Sequence, residues 1–93
     1  MTDKTEIEIR RGEHAASLLN DELLSEAFAY IAQELTEQWQ NSPARDQEGR
    51  EKLWLSLKLL QKVHGHLSSV LETGKFAKAT LAQQIGERLR PSL

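Results

Sequence analysis

The chain has 93 residues, of which 28% are charged, 5% are aromatic and none is cysteine. A chain of this length forms one domain with a small core. Its low aromatic content disfavours a β-sandwich, and the lack of cysteine excludes disulfides and thiolate metal sites. No stretch has the apolar character of a signal peptide or a membrane span. We therefore expect an all-α protein that is intracellular or otherwise folds without disulfides.

The net charge of −2 is distributed unevenly along the chain. Residues 21–41 carry five acids and no base, whereas residues 74–93 carry four bases and one acid. In one interpretation, the acidic segment is a helix that packs against more basic helices, with exposed ion pairs of about 0–1 kcal/mol each. In the other, the C-terminal segment contacts a separate anionic partner. The residues for such a contact are Lys75, Lys78, Arg88 and Arg90.

The first thirteen residues contain the alternating run Thr5-Glu6-Ile7-Glu8-Ile9-Arg10, which is typical of an extended segment. A lone strand is unstable and chain ends are usually mobile. We therefore predict a flexible or extended arm over residues 1–13. A single helical domain is predicted for residues 14–90, beginning with a short helical turn at 14–19.

The next predicted helix covers residues 21–41, with Asn20 as its N-cap. Its apolar residues form one clean stripe, which consists of Leu24, Phe28, Ile31, Leu35 and Trp39. Pro43 interrupts the helical pattern, and Ser42 and Asp46 are suitable caps beside it. Because a short connector joins two long helices, the sequence predicts an antiparallel helical hairpin.

A central helix is predicted for residues 46–73, where one set of residues recurs at alternating steps of four and three, as in a coiled coil. This set, which we call the seam, consists of Leu53, Leu57, Leu60, His64, Leu67 and Leu71. A second apolar set beside it widens the apolar arc to roughly half the helix. We expect that arc to be covered from two sides, by this chain or by another copy. The candidate interface consists of Trp54, Leu55, Leu59, Val63, His66 and Val70.

Two alternatives stay open for Trp54, which is either covered by the N-terminal arm or an aromatic anchor at an interface. Gly74 predicts the end of the central helix, because glycine readily adopts the left-handed conformation that closes helices. A third helix with a thin apolar face then follows over residues 75–90. The predicted fold class is thus all-α: an antiparallel helical hairpin with a short N-terminal helical turn and a third C-terminal helix.

The sequence has no clear pattern of catalytic, metal-binding or cofactor-binding residues. His64 and His66 are two positions apart and point in opposite directions from a helix, so they cannot share an ion. Ser68 and Ser69 follow them without an orienting acid or an oxyanion site, and the chain has no glycine-rich phosphate loop. We expect no catalytic residue, no metal and no cofactor.

A pattern of residues extends over about residues 15–80. It consists of Ala16-Ser17-Leu18-Leu19-Asn20-Asp21, Ala27-Phe28, Trp39, Pro43, Asp46, Gly49-Arg50-Glu51-Lys52-Leu53-Trp54, Lys62-Val63, Leu67 and Glu72-Thr73-Gly74-Lys75. This arrangement resembles small, mostly uncharacterised helical-hairpin proteins of tailed bacteriophages and prophages. The resemblance implies a short hairpin protein of the kind found among phage packaging and head-assembly genes, and it assigns no functional residue.

These observations predict a non-enzymatic helical protein–protein interaction module of a tailed phage, in particle assembly or DNA packaging. Its expected partner is a second copy in a homo-oligomer, or another phage or host protein. No membrane contact is expected. It would be found in the bacterial host cytoplasm or incorporated in the virion. One alternative is a DNA-associated small packaging subunit or regulator, which is less favoured because the basic residues are few. Another is a phage inhibitor of a host defence complex.

Overall fold

The computed structural model describes residues 3–89, and within that range it contains three α-helices and no strand. The helices are α1 (Lys4–Leu19), α2 (Glu22–Asn41) and α3 (Gln47–Leu89). The predicted all-α class is therefore confirmed. By its contacts the described chain forms two compact units. Unit 1 contains residues 3–18 and 67–89, unit 2 contains residues 19–66, and α3 contributes to both.

The predicted flexible or extended arm over residues 1–13 is wrong for residues 4–13, which form the first part of α1; residues 1 and 2 lie outside the described range. The less exposed residues of this segment recur at helical steps of three and four, as Ile9, Gly12 and Ala16 show. Ion pairs at the helical i,i+4 spacing join Lys4 to Glu8 and Glu6 to Arg10. A helix pairs its own backbone groups, whereas a lone strand leaves them without partners.

The predicted end of the central helix at Gly74 is also wrong. α3 continues through this residue to Leu89, so the segments predicted as two helices, 46–73 and 75–90, belong to one; Arg90 lies outside the described residues. No glycine in the described part of the chain has a positive φ angle. Gly74 therefore does not supply the left-handed conformation that closes a helix.

Gly74 instead allows two backbones to touch in unit 1. A Cβ atom added to Gly12 would lie 2.7 Å from the Cα atom of Gly74, and one added to Gly74 would lie 2.6 Å from the Cα atom of Gly12. Ala15 and Ala77, each three positions beyond one of these glycines, are the buried hydrophobic residues of the described chain. Residues without bulky side chains thus bring α1 and the C-terminal part of α3 into direct contact.

Unit 2 is the predicted hairpin. Early in α2, the ring of Phe28 meets the edge of the His64 ring at a centroid distance of 5.7 Å. Late in α2, Trp39 lies under the guanidinium of Arg50, near the start of α3. The beginning of α2 thus contacts the end of the α3 segment in unit 2, and the end of α2 contacts the beginning of α3. The two helices are therefore antiparallel.

Caps define the ends of the hairpin helices. The N-cap of α2 is Asp21, one residue after the predicted Asn20, and its Oδ1 accepts a hydrogen bond from the Leu24 amide at 2.8 Å. The Asp46 carboxylate accepts from the Gly49 amide at 3.0 Å at the start of α3. Such bonds satisfy amides that have no partner within the helix.

The packed stripes of the hairpin are only partly covered. The seam leucines are half-buried, His64 is exposed, and the described chain has no large side chain that is fully buried. One helix covers only a stripe of its neighbour. Large apolar side chains beside the stripe therefore stay exposed to water.

The Gly12–Gly74 contact predicts that alanine at either position destabilises the protein. The added methyl group would overpack a contact between backbones, which cannot yield as a flexible side chain does, and overpacking costs about 1–3 kcal/mol. We expect a net loss in the free energy of unfolding for Gly12→Ala and for Gly74→Ala, measured by urea denaturation followed by far-UV circular dichroism.

Gly86→Ala is the matched control, because Gly86 lies in the same helix and nothing is within 4 Å of its added Cβ. Alanine is favoured over glycine in a helix by about 1 kcal/mol, so this variant should be more stable than the wild type. If Gly74→Ala were stabilised to the same extent, the close backbone contact would be refuted.

Candidate functional site

Five of the six predicted interface residues belong to unit 2, and all five are exposed. They are Trp54, Leu55, Leu59, Val63 and His66. The sixth, Val70, belongs to unit 1 and is half-buried. Its carbonyl oxygen would lie 3.4 Å from a Cβ atom added to Gly12, so this residue takes part in the α1–α3 contact.

Unit 2 exposes more apolar surface than these residues alone. Eight of its large hydrophobic side chains are between 42% and 75% exposed. They are Leu23, Tyr30, Ile31, Trp39, Trp54, Leu55, Leu59 and Val63. Exposed hydrophobic residues carry information when they form a contiguous patch, so their distribution around the hairpin matters.

Helical geometry places six of the eight on one broad side of the hairpin. Leu23 directly precedes Leu24 of the packed stripe on α2, and Val63 directly precedes His64 of the seam on α3. Each is therefore rotated about 100° from its stripe in the same sense. In an antiparallel pair, the second helix runs in the opposite direction to the first, and its packed stripe also points in the opposite direction. The two reversals cancel, and equal rotations fall on the same side.

Tyr30 and Leu59 also directly precede stripe residues. Ile31, at the border of the α2 stripe, is 43% exposed, and Leu55 lies at the outer edge of α3. We call this surface the apolar side, and its hydrophobic residues are Leu23, Tyr30, Ile31, Leu55, Leu59 and Val63. By the same rule the exposed Glu34 and His66, which directly precede Leu35 and Leu67, lie on this side. The contribution from α2 follows from the antiparallel arrangement of the two helices.

The two tryptophans lie on the opposite side, since Trp54 follows the seam residue Leu53 and is rotated in the opposite sense. Together with Trp39 it lines an open apolar cleft of about 260 Å³, which we call the tryptophan cleft. Its other lining residues are Leu35, Thr36, Leu53 and Leu57. The Lys58 ammonium lies 5.4 Å from the Trp54 ring centroid. Trp54 is 51% exposed in this cleft.

Arg50 closes the turn of the hairpin at the edge of this cleft. Its Nη1 atom donates hydrogen bonds to the Trp39 carbonyl at 3.1 Å, to the Ser42 carbonyl at 3.2 Å and to the Ser42 hydroxyl at 2.8 Å. The guanidinium carbon lies 4.3 Å from the Trp39 ring centroid. A cation here also meets the carbonyl end of α2, where the helix dipole favours positive charge. The sequence carries no signal for this role.

The acidic charge of α2 is not paired with α3. Each of the four ion pairs in the described residues joins two residues of one helix. α2 packs against α3, but the described residues show no ion pair between the two helices. The carboxylates of α2 therefore stay available to another molecule.

The predicted anionic-partner residues do not form one cluster. Lys75 and Lys78 line a small groove of about 130 Å³ in unit 1, where Lys75 also pairs with Glu72 at 3.7 Å. Arg88 lies ten residues beyond Lys78, which corresponds to about 15 Å along a helix. Arg90 lies outside the described residues. The structure therefore brings together only Lys75 and Lys78.

Residues 3–89 contain no group of three or more histidine or carboxylate side chains that could hold a metal ion. Of the helices described, none has the length and apolar character needed to cross a membrane. Comparisons with protein-family models, with curated proteins and with solved structures found no match to this chain. The apolar side, with its six exposed large hydrophobic residues, is the candidate functional site.

Arg50→Lys tests the closure of the hairpin turn. Lysine keeps the charge but loses the planar guanidinium, which both stacks on Trp39 and donates to the turn. Hydrogen bonds to charged groups contribute about 1.5–3 kcal/mol, so we expect a loss of about 1–2 kcal/mol in thermal or chemical unfolding.

Lys52→Ala is the control for this variant, because Lys52 is exposed and pairs only with Glu48 of its own helix, at 3.6 Å. The control should change stability by less than about 0.5 kcal/mol. Equal effects of the two substitutions would show that Arg50 is an ordinary surface cation.

Proposed function

We propose that this protein is a non-enzymatic helical protein–protein interaction module that acts through its apolar side. The observation that carries the proposal is the concentration of six exposed large hydrophobic residues on one side of a hairpin. Exposed hydrophobic patches that are larger than those on typical monomeric proteins mark sites of protein or membrane contact. A protein partner is favoured here because four carboxylates of α2 accompany the patch, and anionic lipid surfaces would repel them. These are Glu22, Glu26, Glu34 and Glu37.

The magnitude of the hydrophobic effect agrees with a binding surface. Complete burial of a large apolar side chain contributes about 1.5–3 kcal/mol. The six side chains are roughly half exposed, so their complete burial in a complex would contribute on the order of 5–9 kcal/mol. Association costs about 4–15 kcal/mol, so a partner that contributes an apolar surface of its own is needed for stable binding.

We further propose that the module serves a tailed phage, in particle assembly or DNA packaging. This part of the proposal is supported by the resemblance of residues 15–80 to helical-hairpin proteins of phages and prophages. The module would act in the bacterial host cytoplasm or as part of the virion, and its partner would be a second copy or another phage or host protein.

A crosslinking experiment in phage-producing cells tests the interaction. A photocrosslinking amino acid at Leu59 should form adducts with protein, because this position lies on the apolar side. The same amino acid at Gln61 is the control, since Gln61 follows the seam residue Leu60 and is rotated to the opposite side. Adducts are detected by gel shift and identified by mass spectrometry.

The two parts of the proposal fail separately, the first in this experiment and the second in an immunoblot of purified particles and packaging complexes. If position 59 forms no adduct with any protein, including a second copy, or if both positions react equally, the interaction module is refuted. If the protein is absent from purified particles and from packaging complexes, the phage assembly role is refuted.

A further inference from the structure

We propose that the apolar side binds the same side of a second copy, and that the two hairpins form a four-helix bundle in which α2 of each copy packs on α3 of the other. This inference rests on the proposed function and names its partner. It concerns unit 2 alone, and three features of that unit support it.

The first feature is the matching height of the apolar residues on the two helices. Phe28 contacts His64, and Trp39 contacts Arg50, so Ile31 lies level with the segment around Leu59 to Val63. A two-fold axis parallel to the helices leaves all heights unchanged and exchanges α2 with α3 across the interface. Ile31 of one copy then faces Leu59 and Val63 of the second copy. The surface is therefore self-complementary, as a two-fold interface requires.

The second feature is charge. α2 has four acids and no base, with a fifth acid at its N-cap, whereas α3 brings four bases and two acids to unit 2. The bases are Arg50, Lys52, Lys58 and Lys62, and the acids are Glu48 and Glu51. A two-fold axis perpendicular to the helices would place α2 on α2, so that like charges repel. The parallel axis places acidic α2 on the more basic α3. Electrostatic complementarity of this kind selects partner and orientation, and here it favours a second copy with α2 on α3.

The third feature is a pair of opposite charges near the Phe28–His64 contact. Glu26 lies two residues before Phe28, and Lys62 lies two residues before His64. The Phe28 and His64 rings touch, and the helices are antiparallel, so the two charges lie on opposite sides of this contact, about 6 Å apart along the helix axis, and at opposite outer edges of one hairpin. Neither has an ion-pair partner among the described residues. The parallel two-fold axis brings Glu26 of one copy to the same outer edge as Lys62 of the second copy, where two long side chains span the difference of about 6 Å in height.

The apolar contact is tested with Leu59→Glu. The purified full-length wild type should sediment at twice the chain mass of 10.6 kDa at tens of micromolar. Leu59→Glu should weaken the dimer by at least about a hundredfold, because symmetry places two carboxylates in an apolar contact. Far-UV circular dichroism should be unchanged, since Leu59 is 64% exposed in the single chain.

A charge-reversal cycle tests the arrangement of the helices. Glu26→Lys and Lys62→Glu should each weaken the dimer by about tenfold, because every pair occurs twice in a two-fold interface. The double variant restores opposite charges and should return to within about threefold of the wild type. Lys58→Glu is the control, since Lys58 lies beside Trp54 on the opposite side, and it should leave the dissociation constant unchanged.

Each outcome of these experiments decides a separate point. A wild type that stays monomeric at 100 micromolar overturns the inference that the partner is a second copy. An adduct from position 59 with another protein would in that case still support the interaction module. A dimer that Glu26→Lys strengthens has α2 on α2, which overturns the arrangement. A dimer that Leu59→Glu leaves intact uses another surface, which overturns the inference.

Discussion

Two packed helices cover only one stripe of each other, and this geometric limit governs the structure. Unit 1 responds with small residues, so that Gly12 and Gly74 bring the backbones into contact and little side-chain surface is needed. Unit 2 keeps leucines along its seam, and its stripes stay half-covered. The same limit leaves large apolar side chains on the surface of the hairpin, where an added layer of helices would complete a core.

Much of the hairpin was predictable from local sequence. The stripe from Leu24 to Trp39, the interruption at Pro43 and the seam from Leu53 onward each depend on neighbouring residues only, so periodicity and capping suffice. Gly74 was not predictable in this way. Glycine serves both to close helices and to admit another backbone, and the choice was decided by Gly12, which is distant in sequence. Likewise, the alternation of Ile7 and Ile9 concealed a helical spacing of small residues.

The candidate site also has a part that was predictable from local sequence and a part that was not. The exposure of Leu55, Leu59 and Val63 follows from a seven-residue repeat, because these residues lie outside the seam of a helix with one neighbour in its unit. Their grouping with Leu23 and Tyr30 follows from the antiparallel closure of the hairpin, which the short connector predicted. The hydrogen bonds from Arg50 to the turn involve Trp39, eleven residues earlier, and Ser42, eight residues earlier. No local pattern encodes them.

The position of the tryptophans has a practical consequence. Both tryptophans of the chain, Trp39 and Trp54, lie in unit 2 and line one cleft. Their fluorescence therefore reports the separation of α2 from α3 near the turn, whereas far-UV circular dichroism reports helix in both units. Coincident transitions of the two signals would show that α3 transmits cooperativity through its whole length, and separate transitions would show that its two parts melt independently.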